Sequence, residues 1–311
     1  MTRQNTPAQN QKATQIRFTE ITGAAPRTTY STRGCEMMPR LLDAAESNGS
    51  QHDVVTVVAD PIHKLGKQFF VAADGTVHKQ SAVSVAVGLA VQHNVPNAQA
   101  LRSVLQEVGN NPNAALINSR FPMFEIGEYF LILSELEFEK RGISRYDSSV
   151  NWPVQITLKD KTYPAIGRFK EFVQPSSWQL LDRDVDQHTP ERYANLSHEG
   201  WLCEVDKLIP GVSACARLHA HSSSSRVLLD GTPASSGNGH TWVQVANPMD
   251  VERMRTSILP RALSLGMAWA KPRLSRTTGA IIGQSLATIV DPATLVRGRF
   301  VFCGKPEVHR A

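Results

Sequence analysis

The sequence predicts an α+β protein in which an antiparallel sheet carries helices on one face and follows a smaller α/β unit. Three observations predict it. Through the second half of the chain, apolar strand-like runs and helix-length stretches follow one another as strand, helix, strand, strand, helix, strand. The 311 residues, 41% hydrophobic and 20% charged, suffice for one large core or two modest ones. No repeat of roughly 20–50 residues interrupts that order.

Taken in order, residues 1–50 are rich in Gln, Thr, Asn, Ser and Arg, with brief periodicity near Met38-Pro39-Arg40-Leu41-Leu42. They read as a flexible, weakly basic leader with room for one short helix. An accessory α/β unit is expected over 51–148. It opens on the β-branched run Val54–Val58, and a second strand, Gln68–Val71, leads into an Asp74-Gly75 hairpin signal. Helices are expected at 97–108 and 127–140. Lys64, Lys67, Lys79 and Arg102 make this segment mildly basic.

The second domain is placed at 149–311. Its first part holds Pro153, Pro164 and Pro175 and a hairpin around Val154–Leu158. A strand follows over Trp178–Asp184. One helix is expected from Thr189 as N-cap and Pro190 at the first helical position through to Leu208. Strands Ala214–His221 and Thr241–Ala246, a helix over 248–265, and short strands Leu286–Val290 and Arg299–Phe302 complete the order. This is the split pattern of an RRM-like or palm-like sheet.

Bulk properties narrow the function. No apolar stretch approaches the roughly 20 residues needed to span a bilayer, and the N-terminus shows no apolar signal region. A cytoplasmic protein with no membrane partner is expected. The net charge of +5 leans toward polyanionic partners. The four cysteines, Cys35, Cys203, Cys215 and Cys303, form no C-x-x-C pair and read as reduced thiols.

The chemistry concentrates in three places. Leu180-Leu181-Asp182-Arg183-Asp184 ends an apolar run with two carboxylates on one strand face, a poor core and a good seat for hard cations. Asp186 continues the alternation, so Asp184 and Asp186 form an alternative pair. Ser235-Ser236-Gly237-Asn238-Gly239-His240 then opens an alternating strand. Its glycines allow close backbone approach to a phosphate, and the imidazole can donate to a phosphate oxygen. Last come Ile289-Val290-Asp291-Pro292 and Gly298-Arg299-Phe300, a lone acid and a basic residue suited to a triphosphate.

Together, D-x-D, then S-G-x-G-H, then apolar-D-P followed by G-R-apolar resembles the archaeo-eukaryotic primase superfamily, the primase-polymerases of plasmids and prophages. The Ser222–Arg226 segment and the closing Arg299–Pro306 run resemble its prophage-type members. The resemblance spans about 175–308. It implies template-directed phosphodiester formation with two Mg²⁺ or Mn²⁺ ions held by Asp182, Asp184 and Asp291. It further implies nucleotide contacts from Ser236, His240 and Arg299. The partners it implies are a single-stranded DNA template, ribo- or deoxyribonucleoside triphosphates, and a replicative helicase in trans, since no G-x-x-x-x-G-K-[ST] loop occurs. Lys271, Arg273 and Arg276 are candidates to track the template backbone. The sequence departs from the family at Arg183, where the middle of the first motif is usually apolar, so that face is expected to be less buried.

Two rival readings stand beside this one. His219-Ala220-His221 has the His-apolar-His form that rolling-circle nickases use for one metal, with Tyr193 as nucleophile. A non-catalytic RRM-like module would stack bases on central-strand aromatics, for which Trp242 is the candidate.

Overall fold

The computed structural model describes residues 18–21, 52–61, 63–71, 77–80, 85–158, 160–221, 228–229, 232–233, 238–275, 278–303 and 307–310. The expected Asp74-Gly75 turn, Ser222–Arg226, Ser236, Arg276 and most of the expected leader lie outside them. The protein is α+β, with a large, mostly antiparallel sheet and few helices.

A seven-stranded sheet runs in the order Phe300–Val301, Ala114–Ile117, Val54–Ala59, Val87–Asn94, Tyr129–Leu133, Lys161–Gly167, Val154–Leu158. Only the Tyr129–Leu133 and Lys161–Gly167 pair is parallel. Helix α1 (Ala98–Asn110) begins at Asn97, whose side chain accepts from the Ala100 N–H at 2.9 Å. Its Leu101, Val104, Leu105 and Val108 recur at helical spacing and are all buried.

Three strands of a smaller sheet form a split β-α-β unit. Trp178–Arg183 and Arg217–His221 each pair antiparallel with Gly239–Gln244, which lies between them. Phe18–Ile21 adds an outer strand beside Arg217–His221. One face of this sheet (Trp178, Leu180, Leu218, Ala220, Trp242) packs with α1 and with Val55, Val57 and Leu116 of the large sheet. The other face (Leu181, Val243) is covered by α4 (His198–Leu208) and α5 (Val251–Ser264). The first core cluster therefore draws on residues from both sides of position 149.

Several expectations need correction. The 127–140 stretch is not one helix. Tyr129–Leu133 is a strand, and only α2 (Glu135–Glu139) is helical, beginning at Ser134. Four successive buried apolar residues, Phe130–Leu133, suit a central strand better than a one-sided helix. The expected 190–208 helix is broken into α3 (Glu191–Ala194) and α4. Ser197 caps the latter by accepting from Gly200 N–H at 3.1 Å, and Pro190 occupies the N-cap of α3. The last two expected strands do not join the small sheet. Ile281–Thr288 pairs with Ala268–Leu274 in a separate hairpin, and Phe300–Val301 pairs with Ala114–Ile117. Among the described residues no helix is long and apolar enough to cross a membrane.

Candidate active site

Asp182 is the penultimate residue of its strand, and the antiparallel register sets it directly opposite His240. Residues so opposed share a face. Here that face is the one whose inner positions are Leu180, Trp242, Leu218 and Ala220. The acid and the imidazole thus stand where a core-facing stripe reaches the end of the sheet. His240 Nε2 lies 3.6 Å from Asp182 Oδ1, with the histidine only 8% exposed and the aspartate side chain 27% exposed.

Asp291 arrives from a distant part of the chain. Trp201 Nε1 donates to the Ile289 carbonyl at 2.8 Å and fixes the approach from the helical side. Asp291 N–H then donates to the Asp182 carbonyl at 3.3 Å, and Thr294 Oγ1 donates to the Leu180 carbonyl at 2.9 Å. The segment runs along the outer edge of the Asp182 strand and turns at once into a short 3-10 helix, Pro292–Leu295. The Asp291 carboxylate accepts from the Ala293 N–H, and its other oxygen lies 3.9 Å from Arg299 Nη2.

Asp184 sits just past the strand end and is exposed. The next residue is anchored: Val185 N–H donates to Asn238 Oδ1 at 2.6 Å, so the segment before His240 holds the loop after the D-x-D pair. Asp186 is used differently. Its carboxylate accepts from the His188 N–H at 2.8 Å and pairs with the Lys271 ammonium, while its own N–H donates to Thr189 Oγ1. Burial opposes its ionisation, but Lys271 and the His188 amide outweigh burial and hold the carboxyl below its ordinary value. The alternative pair Asp184 and Asp186 therefore has one member already committed to a turn and a lysine.

The field at Asp182 reports the convergence of the acids. Burial first, then the Asp184 carboxylate, and more weakly that of Asp291, push its carboxyl up to about 7. Lys67 and, less strongly, Arg299 pull the other way. A group so placed gives up its proton readily only when another positive charge arrives. Among the described residues no three His, Cys, Asp or Glu side chains are gathered closely enough to enclose a metal ion. The three acids sense one another across the strand edge without forming a closed shell.

The remaining predicted residues fall in different places. Lys271 and Arg273 are two residues apart on the Ala268–Leu274 strand of the hairpin, Lys271 half-buried against Asp186 and Arg273 exposed. Arg183 corrects the expectation of a less buried face. Its guanidinium is buried on the helical side and donates to the carbonyls of Leu196 (2.8 Å), Ala194 (3.2 Å) and Tyr193 (3.3 Å). It closes the end of α3, so a charge tolerates that buried face through its hydrogen bonds. Gly239 has a packing reason: a Cβ there would lie 2.5 Å from Cε1 of His219.

Tyr193 and Trp242, taken from the two rival readings, are both buried. His219 lies on the opposite face from Asp182, stacked on His198 with ring centroids 3.8 Å apart and with Nδ1 3.1 Å from Thr241 Oγ1. Tyr193 is 6% exposed and stacked on Trp269, which closes it to a DNA phosphate. Trp242 is 1% exposed inside the first core cluster and presents no face to a base. A cavity of about 530 Å³ opens between α4, α5 and the helical face of the sheet, lined by Leu181, Val243 and Cys215. It too is on the far side from the Asp182 carboxylate.

Two residues acquire a place here that sequence reasoning did not give them. Asn238 was legible only as part of a glycine-rich turn. Lys67 carried no signal beyond a scatter of basic residues. No family model, no curated protein and no solved structure matches the chain.

Proposed function

We propose that the protein is a template-directed nucleotidyl transferase, a DNA primase or primase-polymerase of the archaeo-eukaryotic primase type, acting in plasmid or prophage replication. One observation carries the reading. Asp182 and Asp184 at one strand end and Asp291 from a distant segment act on one another electrostatically, and His240 stands directly across the strand from Asp182. The split β-α-β unit, with the Asp291 backbone hydrogen-bonded along the free edge of the Asp182 strand, supports a palm-like sheet.

The donor set fits Mg²⁺ or Mn²⁺. It is all carboxylate oxygen, and the burial and the Asp184 repulsion that raise the Asp182 pKa are both offset by a cation. Bound ions would supply Lewis-acid activation of a 3′-hydroxyl and stabilisation of the pyrophosphate leaving group. The chain's own groups do the rest. His240, held by the sheet and nearly buried, donates to a phosphate oxygen of the incoming nucleotide. Arg299 offers a planar cation to the triphosphate, and Ser236, in the same motif as His240, is the further nucleotide contact that the primase resemblance implies. Lys271 and Arg273, on the hairpin that leaves the same site, follow the single-stranded template backbone. A replicative helicase acting in trans and a cytoplasmic setting go with this activity.

The test is direct. Protein, single-stranded DNA, labelled nucleotides and Mn²⁺ are incubated together, and short products are expected. Their absence with folded protein, or their persistence at the wild-type level in Asp182→Ala, would remove the assignment.

A further inference from the structure

The strand that follows Arg299, Phe300–Val301, belongs to the large sheet and not to the sheet that carries Asp182 and His240. Arg299 is therefore placed from the large-sheet side. The turn before it has Gly298 in the left-handed region, at φ +75°, and is closed by Arg299 N–H donating to the Val296 carbonyl at 3.2 Å.

Two side chains hold Gly298, one at each of its backbone groups. Ser119, two residues beyond the Ala114–Ile117 strand, accepts the Gly298 N–H on its Oγ at 3.1 Å. Ser119 is fully buried, and Thr56 Oγ1 donates to its carbonyl at 2.8 Å, so it is fixed in turn. Arg168, the residue after the Lys161–Gly167 strand, donates from Nη1 to the Gly298 carbonyl at 2.8 Å. Its guanidinium carbon also stands 4.1 Å from the centre of the Phe300 ring. Arg168 thus grips both chain neighbours of Arg299, one by a charge-assisted hydrogen bond and the other by a cation–π contact. Arg299, between them, is exposed, with Nη2 3.9 Å from Asp291 Oδ2.

We propose that Arg168 is a positioning residue for nucleotide binding: with Ser119 it fixes the backbone on either side of Arg299, so that the Arg299 guanidinium stays beside Asp291 to take the triphosphate. This rests on the nucleotidyl-transfer reading and extends it to two residues outside all three motifs. A long, exposed side chain loses conformational freedom when it binds, and a fixed backbone reduces what remains to be lost. The effect falls on nucleotide affinity rather than on the chemical step, because Arg299 meets the triphosphate before and during reaction.

The experiment is steady-state incorporation of dATP and ATP on single-stranded DNA in Mn²⁺, across nucleotide concentrations, for the full chain and its variants, with thermal melts alongside. Arg168→Met keeps an apolar stem and removes the guanidinium. The nucleotide KM is expected to rise about 10-fold, with kcat within about 2-fold of wild type. Ser119→Ala, which removes the other hold on Gly298, should raise KM in the same direction and takes over the test if Arg168→Met does not fold. Arg299→Ala should raise KM by itself. Adding Arg168→Met to it should change KM by less than about 2-fold, because the residue being positioned is gone. Wild-type KM in the folded Arg168→Met protein, wild-type KM in Arg299→Ala, or the same rise in KM with and without Arg299 overturns the inference while the nucleotidyl-transfer reading stands. A fall in kcat or melting temperature at unchanged KM overturns it too, since a merely structural role would show that. Wild-type protein that incorporates neither nucleotide overturns both.

Discussion

The backbone of Asp291 is hydrogen-bonded to the backbone of Asp182, amide to carbonyl, at 3.3 Å. Two acids far apart in sequence are therefore brought together by main chain, and the adjacent Thr294–Leu180 bond reinforces the link. The side chains are left for chemistry, since neither carboxylate is needed to hold the two segments together.

It follows that Asp182→Ala, Asp184→Ala and Asp291→Ala each abolish nucleotide incorporation while leaving the fold intact. Incorporation assays paired with circular dichroism and thermal melts check this. Loss of folding in all three variants would mean that the acids are structural.

The raised pKa of Asp182 gives a pH signature. Its ordinary unfolded value is about 3.9, and in the folded chain it is pushed up to about 7 by burial and by Asp184. Below about pH 4 the group is protonated in both states, and its favourable contribution is fully present. As pH rises from there through 7, the folded state must give up a proton it holds more tightly than the unfolded state, and the contribution is lost. With chelator present, Asp182→Asn should therefore melt higher than wild type at pH 8, by on the order of 2–4 kcal/mol, with the gap closing toward pH 4. Adding Mn²⁺ should close it at pH 8 by stabilising wild type alone. Melting curves that keep a constant offset across pH would contradict this.

Arg183 anchors the break between α3 and α4. Replacing it with Met keeps the apolar stem but strands three carbonyls, those of Tyr193, Ala194 and Leu196. A loss of about 2–4 kcal/mol in urea unfolding is expected. Wild-type stability in Arg183→Met would show that water satisfies those carbonyls equally well.

Asn238 ties the loop after Asp184 to the strand that bears His240. Asn238→Ala should cost about 1 kcal/mol of stability, yet reduce incorporation by about 10-fold or more, because Asp184 loses its fixed approach. Equal activity in Asn238→Ala and wild type would make the tie incidental.

The hairpin prediction is electrostatic. Arg273→Ala should weaken single-stranded DNA binding and lower the magnitude of the salt slope by about one. Binding measured across a salt series decides it, and an unchanged slope would remove Arg273 from the template path.

How far the sequence was readable differs by region, for physical reasons. The Trp178–Arg183 strand and its acids were legible because an apolar run ending in D-x-D states both a strand and its exposed end. The α1 helix was legible from its apolar spacing, whereas its Asn97 cap emerged only in the structure. The strand Tyr129–Leu133 was not, because a run buried on both faces carries no alternation to tell it from a helix. The break at Asn195-Leu196-Ser197 was hidden because Arg183, distant in sequence, supplies the partners that end α3. The crossing of Phe300–Val301 to the large sheet is a tertiary choice, and two residues carry no record of which edge they join. Within the site, Asp182, His240 and Asp291 could be named as residue types at suitable places. Their register, the diversion of Asp186 to Lys271 and the presence of Lys67 depend on contacts that no local pattern encodes.

The central claim is that Asp182, Asp184 and Asp291 jointly hold a divalent cation. Its most direct test is Mn²⁺ binding followed by the electron paramagnetic resonance of the free ion, at pH 8, in wild type and in Asp182→Ala and Asp291→Ala. The account predicts saturable binding in wild type and loss of at least the tighter site in both variants. Identical Mn²⁺ titrations in all three proteins would contradict it.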